Sequence, residues 1–168
     1  MPLTMYDLTI PTLLRGFDVL STYVEKASAF AREKDIADAD LIHARLAPDM
    51  LPFSGQIQRA SDKAKGGVAR LTKIGAPVFA DTETTFAELA GRIEKTTAFL
   101  RSVDKESFEG SETRSIEIKL RSLNGTFSGE RYLMAILLPD FFFHVTTAHD
   151  ILRNRGLAIG KVDYLGRV

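Results

Sequence analysis

In the stretch "LPDFFFHVTTAHDILRNRG", residues 138–156, an aspartate and a histidine stand four residues apart at Asp140 and His144. On a helix that spacing puts them on one face, and Thr147 and Ile151 fall in the same arc. Carboxylate oxygen and imidazole nitrogen are good ligands for zinc, nickel or manganese, so the pair could fill two positions around one divalent cation. Two ligands do not make a site, and a third would have to come from another element. The plainer reading of the same residues is a partly buried histidine hydrogen-bonded by a neighbour, with Asp140 serving the helix N-terminus. On these residues alone the plainer reading is the better one. His149 lies about 140° round the helix from this face and does not extend the set. His43 sits in a short turn and reads as a loop histidine.

Other chemical signatures are missing. There is no cysteine, hence no thiolate ligand, cysteine nucleophile or disulfide. "LNGTFSG" matches neither dinucleotide nor phosphate-loop spacing, and no nucleophile-elbow sequence occurs. The tail "GLAIGKVDYLGRV" is too apolar for a solvated end. It is expected to fold back beside the start of the last helix. Lys161, Asp163 and Tyr164 would then join Thr147 at the rim of a pocket around His144.

Four helices must position these groups. In the first, Leu13, Phe17, Leu20, Val24, Ala27 and Ala31 recur at spacings of three and four, and Pro11 either opens the helix or kinks one that begins earlier. A short helical turn around Asp40–Leu46 precedes the second helix, whose face carries Phe53, Ile57, Ala60, Ala64, Val68 and Leu71, with Gly66 and Gly67 weakening its middle. The third follows the cap candidate Asp81, has Glu83 in its first turn, and carries Phe86, Leu89, Ile93, Thr97 and Leu100. The fourth is the opening stretch, started by Pro139 and stopped by Gly156, or continuous with a segment from about Ser128 and kinked at Pro139. Between helices three and four, "RSIEIKLRS" alternates as a strand, and Asn124-Gly125 is the pair a two-residue hairpin turn favours. The expectation is an all-α, up-and-down four-helix bundle with a small β-hairpin between helices three and four. It forms one domain over residues 1–168.

Totals narrow the function. Lys plus Arg and Asp plus Glu both number 22, so the basic excess of a nucleic-acid binder is missing. The apolar run "YLMAILLPDFFF" is far shorter than the roughly 20 residues needed to cross a bilayer. No signal peptide is evident, and the expected location is cytoplasmic.

"HARLAPDMLPFSGQIQRASDKAK", "DTETTFAELAGRIEKTTAFL" and "LPDFFFHVTTAHDILRNRGLAIGKVDYLG" together carry a family likeness that covers nearly the whole chain. The chain resembles a bacterial family catalogued only as a domain of unknown function, which looks like a branch of the DinB/YfiT-like superfamily of metal-dependent four-helix bundles. The site that this resemblance implies has one histidine on the second helix and two, four residues apart, on the last. The last pair precedes a leucine-arginine and a glycine, here Leu152-Arg153 and Gly156. Counting back, His144 matches the second of the two, Asp140 stands in the place of the first, and the helix-two position falls near Gln56. One of three histidines is present. The implied metal, zinc or nickel, is therefore absent or weakly bound, with His144, Asp140 and Gln56 as its reduced ligand set. Three functions follow as expectations. The first is a small-molecule-binding or stress-related bundle with a degenerate metal site. The second is a metal-dependent hydrolase or thiol-dependent transferase. The third is a structural homodimer using the apolar "LMAILLPDFFF" segment.

Overall fold

The structure, a computed structural model, describes residues 2–120 and 123–166. It is mostly helical with one small antiparallel hairpin. Helix α1 spans Met5–Lys34, α2 Asp38–Ile42, α3 Phe53–Thr72 and α4 Phe86–Arg101. A 3₁₀ turn at Lys105–Phe108 leads to β1 (Ser115–Leu120) and β2 (Leu123–Ser128). The chain then stays helical from α5 (Gly129–Tyr132) through a π turn (Leu133–Leu137) into α6 (Leu138–Asn154), and ends with α7 (Lys161–Leu165).

α1 starts at a capping box: Thr4 accepts from the Asp7 N–H and Asp7 reaches back to Thr4. Pro11 therefore lies inside the helix, the second of the two expected placements. It is exposed, so the carbonyl left without its N–H partner can turn to water. Every residue of the α1 stripe read from periodicity is buried. The same holds for the stripes of α3 and α4. The cap of α4 is Thr85, not Asp81. The Thr85 hydroxyl accepts from the Glu88 N–H at 3.2 Å and the Glu88 carboxylate accepts from the Thr85 N–H at 3.0 Å, a second capping box. Asp81 and Glu83 precede the helix and are drawn off to arginines instead.

The hairpin register also departs from expectation. Leu120 pairs with Leu123, and Asn124 and Gly125 lie within β2 opposite Lys119 and Ile118. The connecting positions 121 and 122 lie outside the described residues. A turn at Asn124-Gly125 would leave the buried Ile116 and Ile118 without partners before Gly129 begins the next helix. Burial of Ile116 opposite Phe127 outweighs the local turn signal.

The four long helices surround one core, which includes Leu13, Phe17, Ile57, Val68, Leu89 and Phe141. α1 packs on α4 and α6, and α3 packs on the same two. Their directions follow from contacts. Tyr6 at the start of α1 meets Phe108 just beyond the end of α4, so these two run oppositely. Lys63 meets Asp140 and Gly67 meets Leu137, so α3 and α6 run oppositely. Phe17 meets Phe141 and Tyr23 meets His149, so α1 and α6 run together. Gln58 lies beside Glu83, ahead of α4, and Leu71 beside Arg114, beyond it, so α3 and α4 run together. The order is thus up, down, down, up, a departure from the up-and-down order expected.

Parallel α3 and α4 require the chain to return along the whole of α3, about 30 Å for its 20 residues. The 73–85 connection does this as an extended strap. Lys65 donates to the Pro77 carbonyl at 3.1 Å, Arg59 pairs with Asp81, and Gln58 donates to Glu83 at 2.9 Å, each contact further back along α3.

The approach of α5 to the turn at Ser111 depends on a glycine. A Cβ on Gly129 would lie 1.8 Å from the Ser111 carbonyl oxygen, a backbone atom that cannot step aside. Gly129→Ala is expected to destabilise by at least the roughly 1–3 kcal/mol typical of overpacking. Gly91→Ala, with nothing within 4 Å of the new Cβ, should be neutral or stabilise by up to about 1 kcal/mol. Urea midpoints of the two variants would check both directions.

Candidate functional site

α6 presents His144 to α3, where Gln56 stands one turn inside the helix start. His144 is 8% exposed and Gln56 2%. The Gln56 Nε2 donates to the Leu51 carbonyl at 3.0 Å, which turns its amide oxygen toward the ring. That oxygen lies 2.8 Å from His144 Nδ1. An amide oxygen only accepts, so Nδ1 carries the proton and donates. The other ring nitrogen, Nε2, faces Asp140 Oδ1 at 3.3 Å. Since a carboxylate also only accepts, a hydrogen bond there forms only when the ring carries both protons. The second Asp140 oxygen takes the Lys63 ammonium at 2.7 Å.

Burial works to raise the Asp140 carboxyl, but the His144 ring, once it carries both protons, and the Lys63 ammonium outweigh it and hold the group below its ordinary value of 3.8. The sequence-predicted trio, His144, Asp140 and Gln56, is therefore brought together, but with different parts. Gln56 holds the ring in one tautomer, the outer role that an amide or carbonyl plays to a metal-bound histidine. Its oxygen is occupied by that bond. Lys63 pairs with the Asp140 oxygen that does not face His144 Nε2. Among the described residues no group of three His, Cys, Asp or Glu could hold a metal ion. His144 and Asp140 alone do not make up the three protein ligands of a catalytic zinc centre.

Lys63 was missed from sequence although a signal existed. It stands seven residues, two helical turns, after Gln56 and so shares its face. The four predicted rim residues lie elsewhere or turn inward. Thr147 is buried and donates back to the Phe143 carbonyl at 2.7 Å. The tail does fold back, burying Leu157 and Ile159, but α7 docks on α1 rather than beside the start of α6. Arg15 donates to the Leu165 carbonyl at 2.7 Å, and Lys26 pairs with Asp163 at 2.5 Å. Tyr164 meets His149 edge-on at 6.3 Å and accepts from Thr146 at 3.2 Å. Lys161 is exposed. The tail thus serves the α1 face of α6, where the Tyr23 hydroxyl bonds His149 Nδ1 at 2.7 Å, while His144 faces α3. His43 is exposed at the end of α2.

These features define a helical domain with a buried histidine–amide pair and a flanking carboxylate between two long helices. Residues 5–165 match the family described as a domain of unknown function (DUF1993), and the chain belongs to that family. It is also similar to a crystal structure of a DinB family member protein from Shewanella denitrificans, with 36% identity and a TM-score of 0.91 over 98% of this chain and 93% of that one. The resemblance read from the sequence is met. A comparison with curated proteins finds no match. No helix among the described residues is long and apolar enough to cross a membrane.

Asp140 stabilises the folded state where it is ionised. Because its folded pKa lies below 3.8, this contribution is full well above that value and is lost as pH falls through the lower, folded one. The melting-temperature gap between the native chain and Asp140→Asn should therefore be open at pH 7 and shrink from about pH 5 downward. Gln56→Leu should cost about 1–3 kcal/mol at pH 7 by leaving the buried Nδ1–H without a partner.

Proposed function

We propose that this protein is a DinB-like four-helix bundle that binds a small molecule and whose metal position is degenerate. The observation that supports the reading is the Gln56 oxygen on His144 Nδ1 at 2.8 Å, together with Lys63 on Asp140 at 2.7 Å. A protein amide takes the His144 Nδ1 proton and a protein ammonium pairs one oxygen of Asp140. A divalent cation would find two protein ligands, His144 Nε2 and the other Asp140 oxygen, beside the charge of Lys63.

The competing reading is a metal-dependent hydrolase or a thiol-dependent transferase. In it His144 Nε2 and Asp140 would hold zinc or nickel, which would activate a bound water or thiol. Metal analysis separates the two. Protein purified without chelator should carry well under one zinc or nickel per chain, and His144→Ala should lower stability without changing that content. The double variant Gln56→His with Asp140→His, which supplies three histidines, should gain zinc. Stoichiometric metal on the native chain, lost in both His144→Ala and Asp140→Ala, would reverse the ranking.

A second reading, a homodimer, draws on the outer face of the π turn and α6. Met134 and Phe143 are 52% and 57% exposed there. Sedimentation should give a dimer that Phe143→Glu converts to monomer, and a monomeric native chain would remove this reading.

A further inference from the structure

A crevice of about 240 Å³ opens on the α3 side of Asp140, where the hairpin folds over α3 and the π turn. Its walls bring together Lys63 and Arg70 from α3, Lys119 from β1, and Tyr132 from α5. Two carboxylates also line it, Asp62 and Asp140, and both are already covered by cations. Asp62 lies 3.0 Å from Arg92, 3.3 Å from Lys65 and 3.5 Å from Arg59. Asp140 is held by Lys63 and faces His144. Arg70 has no ion pair among the described residues. Lys119 has only Glu117 on its own strand, at 3.0 Å, with both side chains mostly exposed. Such a pair is worth little. The crevice therefore carries surplus positive charge.

Its floor is apolar, formed by Ile118, Ile136 and Leu137. Tyr132 is 4% exposed, and burial pushes its phenol up, with Arg70 beside it acting the other way. The phenol thus stays a proton donor at neutral pH. Gly66 gives the Arg70 guanidinium its place: one of its terminal nitrogens would lie 3.1 Å from a Cβ built there. The π turn supplies Ile136 and Leu137, and π turns inside helices frequently mark functional sites.

We infer that this crevice is a binding site for a small carboxylate with a short apolar body. The carboxylate meets the Arg70 guanidinium, the Lys119 ammonium and the Tyr132 hydroxyl, and the body lies on Ile118, Ile136 and Leu137. Planar guanidinium matches planar carboxylate through paired N–H donors, which a point charge does not. The inference rests on the small-molecule reading above and gives it a ligand class.

The test titrates the folded native chain with butyrate, n-butylammonium and inorganic phosphate, followed by amide NMR shifts. Butyrate should bind and shift amides around Lys63, Lys119 and Tyr132. Arg70→Gln should weaken it about tenfold or more, as loss of a charged hydrogen bond does. Tyr132→Phe should weaken it less, with the melting temperature recorded to show that each variant is folded. Arg70→Lys restores charge but not the fork, and should recover only part of the affinity. Failure of butyrate to bind overturns the inference, as does binding that Arg70→Gln leaves unchanged. Phosphate binding as tightly as butyrate would make this a plain anion site and overturn the carboxylate assignment. Preference for n-butylammonium would overturn the charge argument. Metal content is read separately, so stoichiometric zinc would sink the degenerate-site reading without touching the butyrate result.

Discussion

The last long helix can lie close to both α1 and α3 only because a glycine faces it on each side. A Cβ on Gly16 would meet the Phe141 ring at 2.3 Å, and one on Gly67 would meet Leu137 at 2.4 Å. These two contacts set the depth and rotation of α6. Pro139 lies between Leu137 and Phe141, and it has no N–H to give. The chain opens into a π turn just before it, where the Leu138 N–H reaches back to the Leu133 carbonyl. The helix continues through the proline without breaking. Phe141 then seats on Gly16, and His144, three residues on, reaches Gln56. The placement of α6 in the polar cluster thus follows from glycine and proline placement, while the Leu51 carbonyl in the loop before α3 orients Gln56.

The opposite side of α3 is held by charge. Arg92, with its side chain 1% exposed, takes Asp62 at 3.0 Å, Asp81 at 3.0 Å and Glu83 at 2.9 Å. Lys65 lies 3.8 Å from the centre of the Phe79 ring. Burial works to raise Glu83, and Arg92 and Gln58 outweigh it and hold it low. Burial likewise lowers Lys65, against Asp62. A buried pair of this kind contributes little net stability against an apolar substitute, but breaking it leaves a charge in a poor medium. Its role here is positional, because it fastens the strap that lets α3 and α4 run in the same direction.

α3 therefore carries two polar faces with different chemistry. On one, Asp62 and Lys65 serve the strap. On the other, Gln56 and Lys63 serve α6. Helical spacing keeps the sets apart, and Asp62 borders both the ion network and the crevice beside Asp140. Asp62 is neutralised from outside the crevice and Asp140 by Lys63 within it, which leaves Arg70 without an ion pair among the described residues.

The sequence by itself determined the four long helices and the residues they bury, because a 3.6-residue apolar period survives any arrangement that buries one face. It also placed His144, Asp140 and Gln56 as a candidate set, through helical spacing and family likeness. The cap of α4 is misread from sequence, because Asp81 suits an N-cap by residue type alone; in the fold Arg59 and Arg92 take Asp81, and Thr85 with Glu88 caps the helix. Tertiary structure alone decided what depends on partners distant in the chain. It chose the hairpin register, since burial of Ile116 and Ile118 outweighs a two-residue turn preference. It chose the up, down, down, up order, since periodicity carries no helix direction. It put the tail beside His149, since a docking side depends on which face of α6 is already filled. Above all it turned Gln56 and Lys63 toward His144 and Asp140, so that the amide oxygen meets the ring and the ammonium meets the carboxylate. Ligand-type residues in a sequence have no partners until the packing of two helices assigns them.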